Sequence, residues 1–178
     1  HPSVTIDNRK AAYDATKYLI DKGNKRIAYI GMKKDRKNAV AKRYEGYEKA
    51  LKDNDIELDP DLLYYGDLNA PAGYKGINVI LENGSIDAVF CASDEIAMGA
   101  INALRDKGIR CPEDVDVIGF NDIYLASIFY PKITTVAQPM YDMGSVGMRM
   151  LIKVINKKPL DEEQYELQYH LVERDSVK

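Results

Sequence analysis

The sequence predicts an α/β fold built around a doubly wound, parallel sheet. Short, unbroken apolar segments alternate along the chain with amphipathic segments of helical periodicity. Unbroken apolar segments are typical of strands that are covered on both faces, as they are in parallel sheets. In addition, residues 19–31 and 104–119 share one pattern, a helix end with Asp-Lys-Gly followed by an apolar segment. That repetition indicates successive βαβ units rather than a solenoid.

Each predicted element follows from its local sequence. Apolar segments predict seven strands, at 4–6, 27–31, 62–66, 88–92, 115–120, 133–137 and 167–172. Apolar residues that recur on one side predict five helices, at 9–22, 43–53, 71–82, 95–107 and 141–156. The first and fourth helices end in Lys followed by Gly, which suits the negative end of the helix dipole and a left-handed turn.

Composition indicates an ordinary globular protein. The chain has 178 residues, of which 46% are hydrophobic and 30% charged, and its net charge is −3. We interpret its richest basic segment, KKDRK at 33–37, as a solvated loop, so this chain by itself is not expected to hold nucleic acid. No apolar segment is long enough to span a membrane, and no signal peptide is visible. We therefore expect no membrane association and a cytoplasmic location.

Motifs for metal, cofactor and nucleophilic chemistry are absent from the sequence. Cys91 and Cys111 lie far apart beside apolar segments, which favours buried free thiols, and the two histidines cannot build a His-rich metal site. The phosphate-binding glycine motifs and the nucleophile-elbow motif do not occur. We predict that the chain is not an enzyme and needs no cofactor. The alternative is a phosphoacceptor or Mg²⁺-dependent domain that uses Asp94, Asp122 and Lys33.

Polar residues follow three of the predicted strands. They are Asp67, Ser93, Asp94, Asn121 and Asp122. Ligands of doubly wound sheets bind beyond the carboxyl ends of the strands, so these residues predict a small-molecule site along one edge. Helix capping is the alternative: Asp94 could cap the helix at 95–107, Asn69 the helix at 71–82, and Asn121 or Asp122 a short helix at 123–128. Capping does not exclude a ligand, because helix N-termini also bind polar groups.

Four segments resemble the effector-binding core of lactose-repressor-type (LacI/GalR) transcriptional regulators. They are TIDNRKAAYDATKYLIDKGNKRIAYIG (5–31), KRYEGYEKAL (42–51), IDAVFCASDEIAMGAINALRDKGIRCPEDVDVIGFND (86–122) and PKITTVAQPMYDMGSVGMRMLIKVI (131–155). The stretch QPMYDMG is particularly similar to catabolite control proteins and their maltose-type relatives. The resemblance covers nearly the whole chain in order, and it implies a two-subdomain fold like that of periplasmic sugar-binding proteins.

The resemblance also implies that this chain is a truncated core. We expect residues 1–133 to form the C-terminal effector-binding subdomain, 134–157 to belong to a mostly missing N-terminal subdomain, and 158–178 to return. The DNA-binding helix-turn-helix of the family is expected to be missing as well. The helix at 141–156 carries an apolar stripe that would lose its subdomain. We therefore predict that the stripe is buried in a partner chain, repacked or mobile.

The resemblance assigns candidate ligand contacts residue by residue. They are Asn38, Arg43, Leu68, Ser93, Asp94, Asn121 and Gln138, with Lys37 and Ala39 beside Asn38, and with Asp7 and Asn8 at a crossover between subdomains. Arg43 matches an arginine that grips ligand hydroxyls or a carboxylate through its planar fork of donors; the alternative for it is a surface salt bridge. Leu68 stands where the family often stacks an aromatic ring. Asn121 stands where the family usually has Asp, and an amide donates as well as accepts.

The resemblance implies the sensing of a small-molecule effector, with a carbohydrate as the expected class, by a regulator that acts as a homodimer. Operator DNA would be bound only through the missing helix-turn-helix. The effector would shift the DNA-binding equilibrium by its differential affinity for two closure states. A sugar-binding protein of a transport system, with nearly the same fold, is the alternative from another class.

Overall fold

The structure is a computed structural model that describes residues 2–32 and 38–178. Its strands are β1 (Ser3–Thr5), β2 (Ile27–Gly31), β3 (Leu63–Tyr65), β4 (Ala88–Cys91), β5 (Asp116–Asn121), β6 (Thr134–Ala137), β7 (Gln164–Glu166) and β8 (His170–Val172). Its helices are α1 (Asn8–Asp21), α2 (Ala39–Asp53), α3 (Ala70–Glu82), α4 (Asp94–Asp106) and α5 (Met140–Ile155). The basic segment at 33–37, with Lys33 and Lys37, lies outside the described residues, so its interpretation as a loop stays a prediction.

A six-stranded sheet in the order β3-β2-β4-β5-β6-β8 forms the main body. All of its neighbouring strands are parallel except β8, which runs antiparallel to β6 at one edge. The chain moves from β2 to β3 through α2 and returns past β2 to β4 through α3. Right-handed crossovers in opposite directions place α2 and α3 on opposite faces of the sheet. The predicted doubly wound α/β fold is confirmed, with an antiparallel edge strand added.

The central strands are covered on both faces, as their unbroken apolar segments predicted. β2, β4 and β6 are buried along their whole length. The helices cover them in two pairs, with α1 packed against α2 and α3 packed against α4. An aromatic cluster fixes α2 on the sheet, since the ring of Tyr29 in β2 lies 5.2 Å from that of Tyr44 and 5.3 Å from that of Tyr47. This packing positions the first turns of α2 above the carboxyl ends of the strands.

A second, smaller unit is formed by the segments that leave this sheet. β1 and β7 pair in parallel as a separate two-stranded sheet, and α5 packs against β1. Met150 is buried in this contact, whereas Leu151 and Val154 remain about half exposed. The apolar stripe of α5 is therefore only partly covered within this chain, and its burial by a partner stays a prediction.

The structure shifts the expected division of the chain. β6 lies between β5 and β8 in the large sheet, so residues 134–137 belong to the main body and not to the second unit. The segment that we assigned to the other subdomain thus begins after Ala137. β1 and β7 belong with it, because both pair outside the large sheet.

Other local predictions also needed correction. Of the predicted final strand at 167–172, only His170–Val172 is a strand, β8, and a further strand, β7, precedes it at Gln164–Glu166 on a different sheet. α2 begins at Ala39 rather than at 43, because the side chain of Asn38 accepts a hydrogen bond from the amide of Ala41 and caps the helix. Both cysteines are free, with Cys91 buried and Cys111 partly buried. No described helix has the length and hydropathy that would let it cross a bilayer.

Candidate functional site

The side chain of Arg43 lies at the carboxyl edge of the sheet, where the first turns of α2 pass the end of β4. It is buried, with 5% of its surface exposed. Nη1 donates to the carbonyl of Ala92 at 2.6 Å, and Nε donates to Oδ1 of Asn8 at 3.0 Å. The guanidinium carbon lies 3.8 Å from the ring centroid of Phe120, at the end of β5. The alternative that Arg43 forms a surface salt bridge is therefore wrong.

A glycine in the same helix explains how Arg43 reaches Asn8. A Cβ atom at Gly46 would lie 2.2 Å from the backbone oxygen of Arg9, so only glycine lets α2 approach α1 this closely. Arg43 and Gly46 are nearly one helical turn apart, and together they form the R-x-x-G pattern in the sequence. Burial lowers the pKa of Arg43 to about 10, which keeps the guanidinium charged at neutral pH.

The crossover residues Asp7 and Asn8 have structural contacts. Asp7 caps α1 by accepting a hydrogen bond from the amide of Lys10 at 2.9 Å. Asn8 is buried, and its Nδ2 donates to the carbonyl of Ile6 at 3.2 Å while its Oδ1 accepts from Arg43. Asn8 thus links the segment that enters from the smaller unit to the guanidinium. A direct role of either residue in ligand binding stays a prediction.

The carboxylate of Asp94, a predicted ligand contact, lies inside the protein. The residue has no exposed surface. Oδ1 accepts from Oγ1 of Thr135 at 2.5 Å, and Oδ2 accepts from the amide of Ile123 at 2.8 Å. A Cβ atom at Gly119 would lie 2.3 Å from Oδ1, so the carboxylate fills the space that this glycine leaves free. Burial raises the pKa of Asp94, and the two hydrogen bonds partly offset this effect.

Of the three helix caps that we suggested, two differ in the structure and one is confirmed. Ser93, not Asp94, caps α4 by accepting from the amide of Ile96 at 3.2 Å. The short 3-10 helix at Tyr124–Ser127 has no side-chain cap, so the suggestion that Asn121 or Asp122 caps it is wrong. Asn69 does cap α3 as predicted. Asp94 instead connects the end of β4 to β6 and to the segment that follows β5.

Asn121 and Asp122 end β5 with an unusual backbone. Their φ angles are 113° and 55°, in a region that Asn and Asp tolerate better than other side-chain-bearing residues. Gln138, just beyond β6, donates from Nε2 to Oδ1 of Asn121 at 2.7 Å. Asp122 forms an ion pair with Arg174, whose Nη2 lies 2.7 Å from Oδ1. Backbone strain at a predicted site supports a functional role for this turn.

The remaining candidates occupy the outer part of the edge. Leu68, after β3, is partly buried and packs against the main core. Its aliphatic side chain offers no aromatic ring to a ligand. Asn38 is exposed at the first turn of α2 and uses its Oδ1 as a cap, and Ala39 is the first residue of that helix rather than part of a loop. Lys37 lies outside the described residues. The structure thus brings Arg43, Ser93, Asn121 and Gln138 together at the strand ends, with Asn38 and Leu68 at the periphery.

The magnesium alternative finds no support in the part of the chain that the structure describes. No group of three or more His, Cys, Asp or Glu side chains there is arranged to hold a metal ion. Asp94 is hydrogen-bonded to protein donors, and Asp122 is paired with Arg174. Lys33, the third member of that hypothesis, lies outside the described residues.

Sequence reasoning missed three residues that organise the edge: Phe120, Thr135 and Arg174. Each acts on a candidate far away in the chain, such as Thr135 on Asp94 and Arg174 on Asp122. No local pattern identifies such pairs, because their partners become neighbours only when the sheet forms. The only available sequence signal was the pair of threonines within the apolar segment at 133–137, which are both buried in β6.

Comparison with known proteins agrees with this architecture. A family model for the periplasmic binding protein-like domain matches residues 16–177. The HTH-type transcriptional regulator RegA of Clostridium saccharobutylicum is 60% identical over 177 residues, which are 99% of this chain and 53% of that protein. Catabolite control protein A of Priestia megaterium is 36% identical over 178 residues, or 99% of this chain and 54% of its own length. The chain thus spans about half the length of these curated relatives.

Solved structures show the same similarity. The transcription regulator CcpA of Lactococcus lactis superposes with a TM-score of 0.92 at 37% identity, covering 99% of this chain and 65% of that one. The transcriptional regulator CelR in its cellobiose complex gives a TM-score of 0.90 at 36% identity, covering 97% of this chain and 53% of that one. The fold and the polar strand ends define a periplasmic-binding-protein-like domain. The chain belongs to the lactose-repressor-type transcriptional regulators and corresponds to part of their core, which confirms the resemblance.

Proposed function

We propose that this chain is the effector-sensing core of a transcriptional regulator, and that a small molecule of carbohydrate type binds at the carboxyl edge of its large sheet. The observation that carries this proposal is the buried guanidinium of Arg43 at the strand ends, where doubly wound sheets bind ligands. The related regulator CelR was solved with cellobiose, and another LacI-family regulator with ribose. Both are structural relatives of this chain.

The smaller unit supplies the second wall of the proposed site. β1, β7 and α5 lie outside the large sheet, and the chain passes between the two units next to Asn8 and Gln138, which contact Arg43 and Asn121. An effector that bridges the units would favour one relative orientation over another. It would shift DNA binding only by the difference in its affinity for the two states.

Operator binding is assigned to a helix-turn-helix in the complete protein, which acts as a cytoplasmic homodimer. The similarity to RegA and to catabolite control protein A supports this assignment. The site residues are Asn38, Arg43, Leu68, Ser93, Asn121 and Gln138, with Asp94 holding the strand ends. The relatives are transcriptional regulators, which agrees with a non-enzymatic role.

The test uses the complete protein and the DNA upstream of its own gene. Fluorescence anisotropy measures operator affinity while sugars and sugar derivatives are added, and thermal shifts report binding to the core. We expect at least one compound to shift both readouts in the wild type, and Arg43→Gln to weaken its binding by about tenfold or more. Asn102→Asp serves as a control, because Asn102 lies in α4 about two turns after its first residue, and it already contacts Arg105. Effector binding without any DNA affinity would contradict the regulator and favour the transport alternative.

A further inference from the structure

The turn that follows β5 has a strained backbone, because Asn121 and Asp122 have φ angles of 113° and 55°, which residues with side chains rarely adopt. Such a conformation persists only where the surrounding structure fixes it. Three side-chain contacts among the described residues do so. They are the bond from Gln138 to Asn121, the bond from the amide of Ile123 to Asp94, and the ion pair of Arg174 with Asp122.

The ion pair differs from the other two contacts in its independence from the ligand. Asn121 and Gln138 are both proposed ligand contacts, so a ligand that binds to their amide groups competes with the bond between them. The carboxylate of Asp94 is shared with Thr135. The pair of Arg174 with Asp122 uses no proposed ligand group, so it can hold the turn in the empty and in the occupied site alike.

The segment that carries Arg174 is fixed to both neighbouring strands. The backbone amide of Arg174 donates to Oγ1 of Thr134 at 2.9 Å, and its Nη1 donates to the carbonyl of Ile133 at 2.9 Å. Two residues later, Ser176 has no exposed surface. Its hydroxyl donates to the carbonyl of Val117 in β5 at 2.6 Å and accepts from the amide of Thr134 in β6 at 2.8 Å. The guanidinium therefore reaches Asp122 from an immobile base.

Arg174 also acts on the second carboxylate that holds the turn. Burial raises the pKa of Asp94, the negative charge of Asp122 raises it further, and the positive charge of Arg174 lowers it. Without Arg174, the two carboxylates would repel each other with less compensation. The guanidinium thus supports two of the three contacts.

We propose that Arg174 is a positioning residue of the effector site, which holds the turn 121–123 through Asp122 and thereby presets the side chain of Asn121 for the effector. The inference rests on the proposed function, because it assigns a role in the same site to a residue that does not touch the ligand. A preset side chain strengthens binding, since the effector does not have to order the turn when it binds.

The first experiment measures hydrogen exchange of the complete protein without any ligand, on peptides that cover residues 120–126. Arg174→Met removes the charge and keeps an unbranched side chain. We expect it to speed exchange in these peptides by about tenfold, because the turn then opens locally. The matched control is Ile80→Val, which lowers stability at a fully buried site in α3. A local opening of the turn leaves that site intact, so Ile80→Val should change the same exchange by less than about twofold.

A double-mutant comparison assigns the effect to the ion pair. Asp122→Asn keeps a residue type that tolerates the turn and removes the charge, so it should speed exchange about as much as Arg174→Met. The double variant should exchange within about twofold of the faster single variant, because both substitutions break one contact. Multiplied effects would show that Arg174 acts on the turn independently of Asp122 and would overturn the assignment.

The second experiment links the turn to the effector. Titration calorimetry on the complete protein uses the compounds that shift both wild-type readouts of the screen, beginning with cellobiose and ribose, which two structural relatives contain. At a temperature where circular dichroism shows every variant to be folded, Arg174→Met should raise the dissociation constant by about tenfold and Ile80→Val by less than about twofold. A residue that only stabilises the fold would leave this constant unchanged.

The outcomes separate the inference from the proposed function. Equal acceleration of the turn peptides in Arg174→Met and Ile80→Val would show that Arg174 stabilises the whole fold, and it would overturn the inference alone. Unchanged effector affinity in Arg174→Met would do the same and leave the effector-sensing role intact. If no compound binds the wild type or alters its DNA affinity, the proposed function fails and the inference fails with it.

Discussion

Replacement of Thr135 by valine tests whether the buried carboxylate of Asp94 holds the strand ends together. Valine keeps the shape of the side chain but removes the hydroxyl that donates to Oδ1 of Asp94 at 2.5 Å. Both residues have no exposed surface, so water cannot replace the lost donor without rearrangement. A hydrogen bond to a charged group contributes about 1.5–3 kcal/mol. We expect Thr135→Val to lower the free energy of unfolding by about 2–3 kcal/mol at pH 7.

The adjacent residue of β6 provides a matched control. Thr134 is equally buried, but its hydroxyl accepts from a neutral donor, the amide of Arg174, at 2.9 Å. Thr134→Val should therefore cost about 1 kcal/mol, the usual contribution of a neutral hydrogen bond. Urea unfolding followed by circular dichroism measures both variants against the wild type.

The pH dependence separates loss of a charged interaction from loss of packing. The bond from Thr135 lowers the pKa of Asp94, so its removal raises that pKa further in the folded state. The extra destabilisation of Thr135→Val is full while Asp94 is ionised, above its folded pKa, and it decreases as the pH falls through that pKa. Equal losses for the two valine variants, unchanged between pH 8 and pH 4, would refute the reasoning.

Three further predictions concern packing, backbone conformation and thiol reactivity. Gly99→Ala should destabilise the protein by more than about 2 kcal/mol, because its Cβ would lie 1.9 Å from a backbone oxygen of α3. Gly144→Ala, in open space on α5, should stabilise the protein by about 0.5–1 kcal/mol. Urea unfolding measures both changes, and a more stable Gly99→Ala than Gly144→Ala would contradict this prediction. Asp122→Val should lower stability by about 1–2 kcal/mol more than Asp122→Asn, since valine is disfavoured at a φ of 55°; equal losses in thermal unfolding would contradict this. Burial raises the pKa of Cys91 and raises that of Cys111 to about 12, so a thiol reagent at pH 8 should label the folded protein about 100-fold more slowly than the unfolded chain. Comparable labelling rates would show that these thiols are accessible.

The sequence predicted the fold well because the relevant signals are local. Unbroken apolar segments, helical periodicity and the Lys-Gly helix ends located most strands and helices of the large sheet to within a few residues. The exceptions depended on partners. The segment at 167–172 predicts one strand, yet only its last three residues form β8, which pairs with β6, while β7, just before the segment, pairs with β1. A strand's own residues do not specify which neighbour it joins, so the assignment to two sheets was not visible.

Prediction of the site was less complete for the same physical reason. The positions at the carboxyl ends of the strands follow from topology, which located Asn121, whereas Arg43 was assigned through the family resemblance. The state of each side chain depends on contacts that are distant in sequence. Asp94 resembles an exposed ligand group when it is considered with its neighbours in the chain, but Thr135 and the amide of Ile123 enclose it in the fold.

At the pair Asn121–Asp122, an unusual backbone conformation coincides with a difference in side-chain charge. Two successive residues with positive φ angles restrict this turn to a few residue types, and Asn and Asp are both among them. Backbone geometry therefore does not explain why Asn rather than Asp precedes Asp122. The difference lies in electrostatics, since Asp122 is neutralised by Arg174 while a carboxylate at 121 would add a negative charge to the edge that holds Arg43. The amide at 121 keeps the turn without adding a negative charge to this edge.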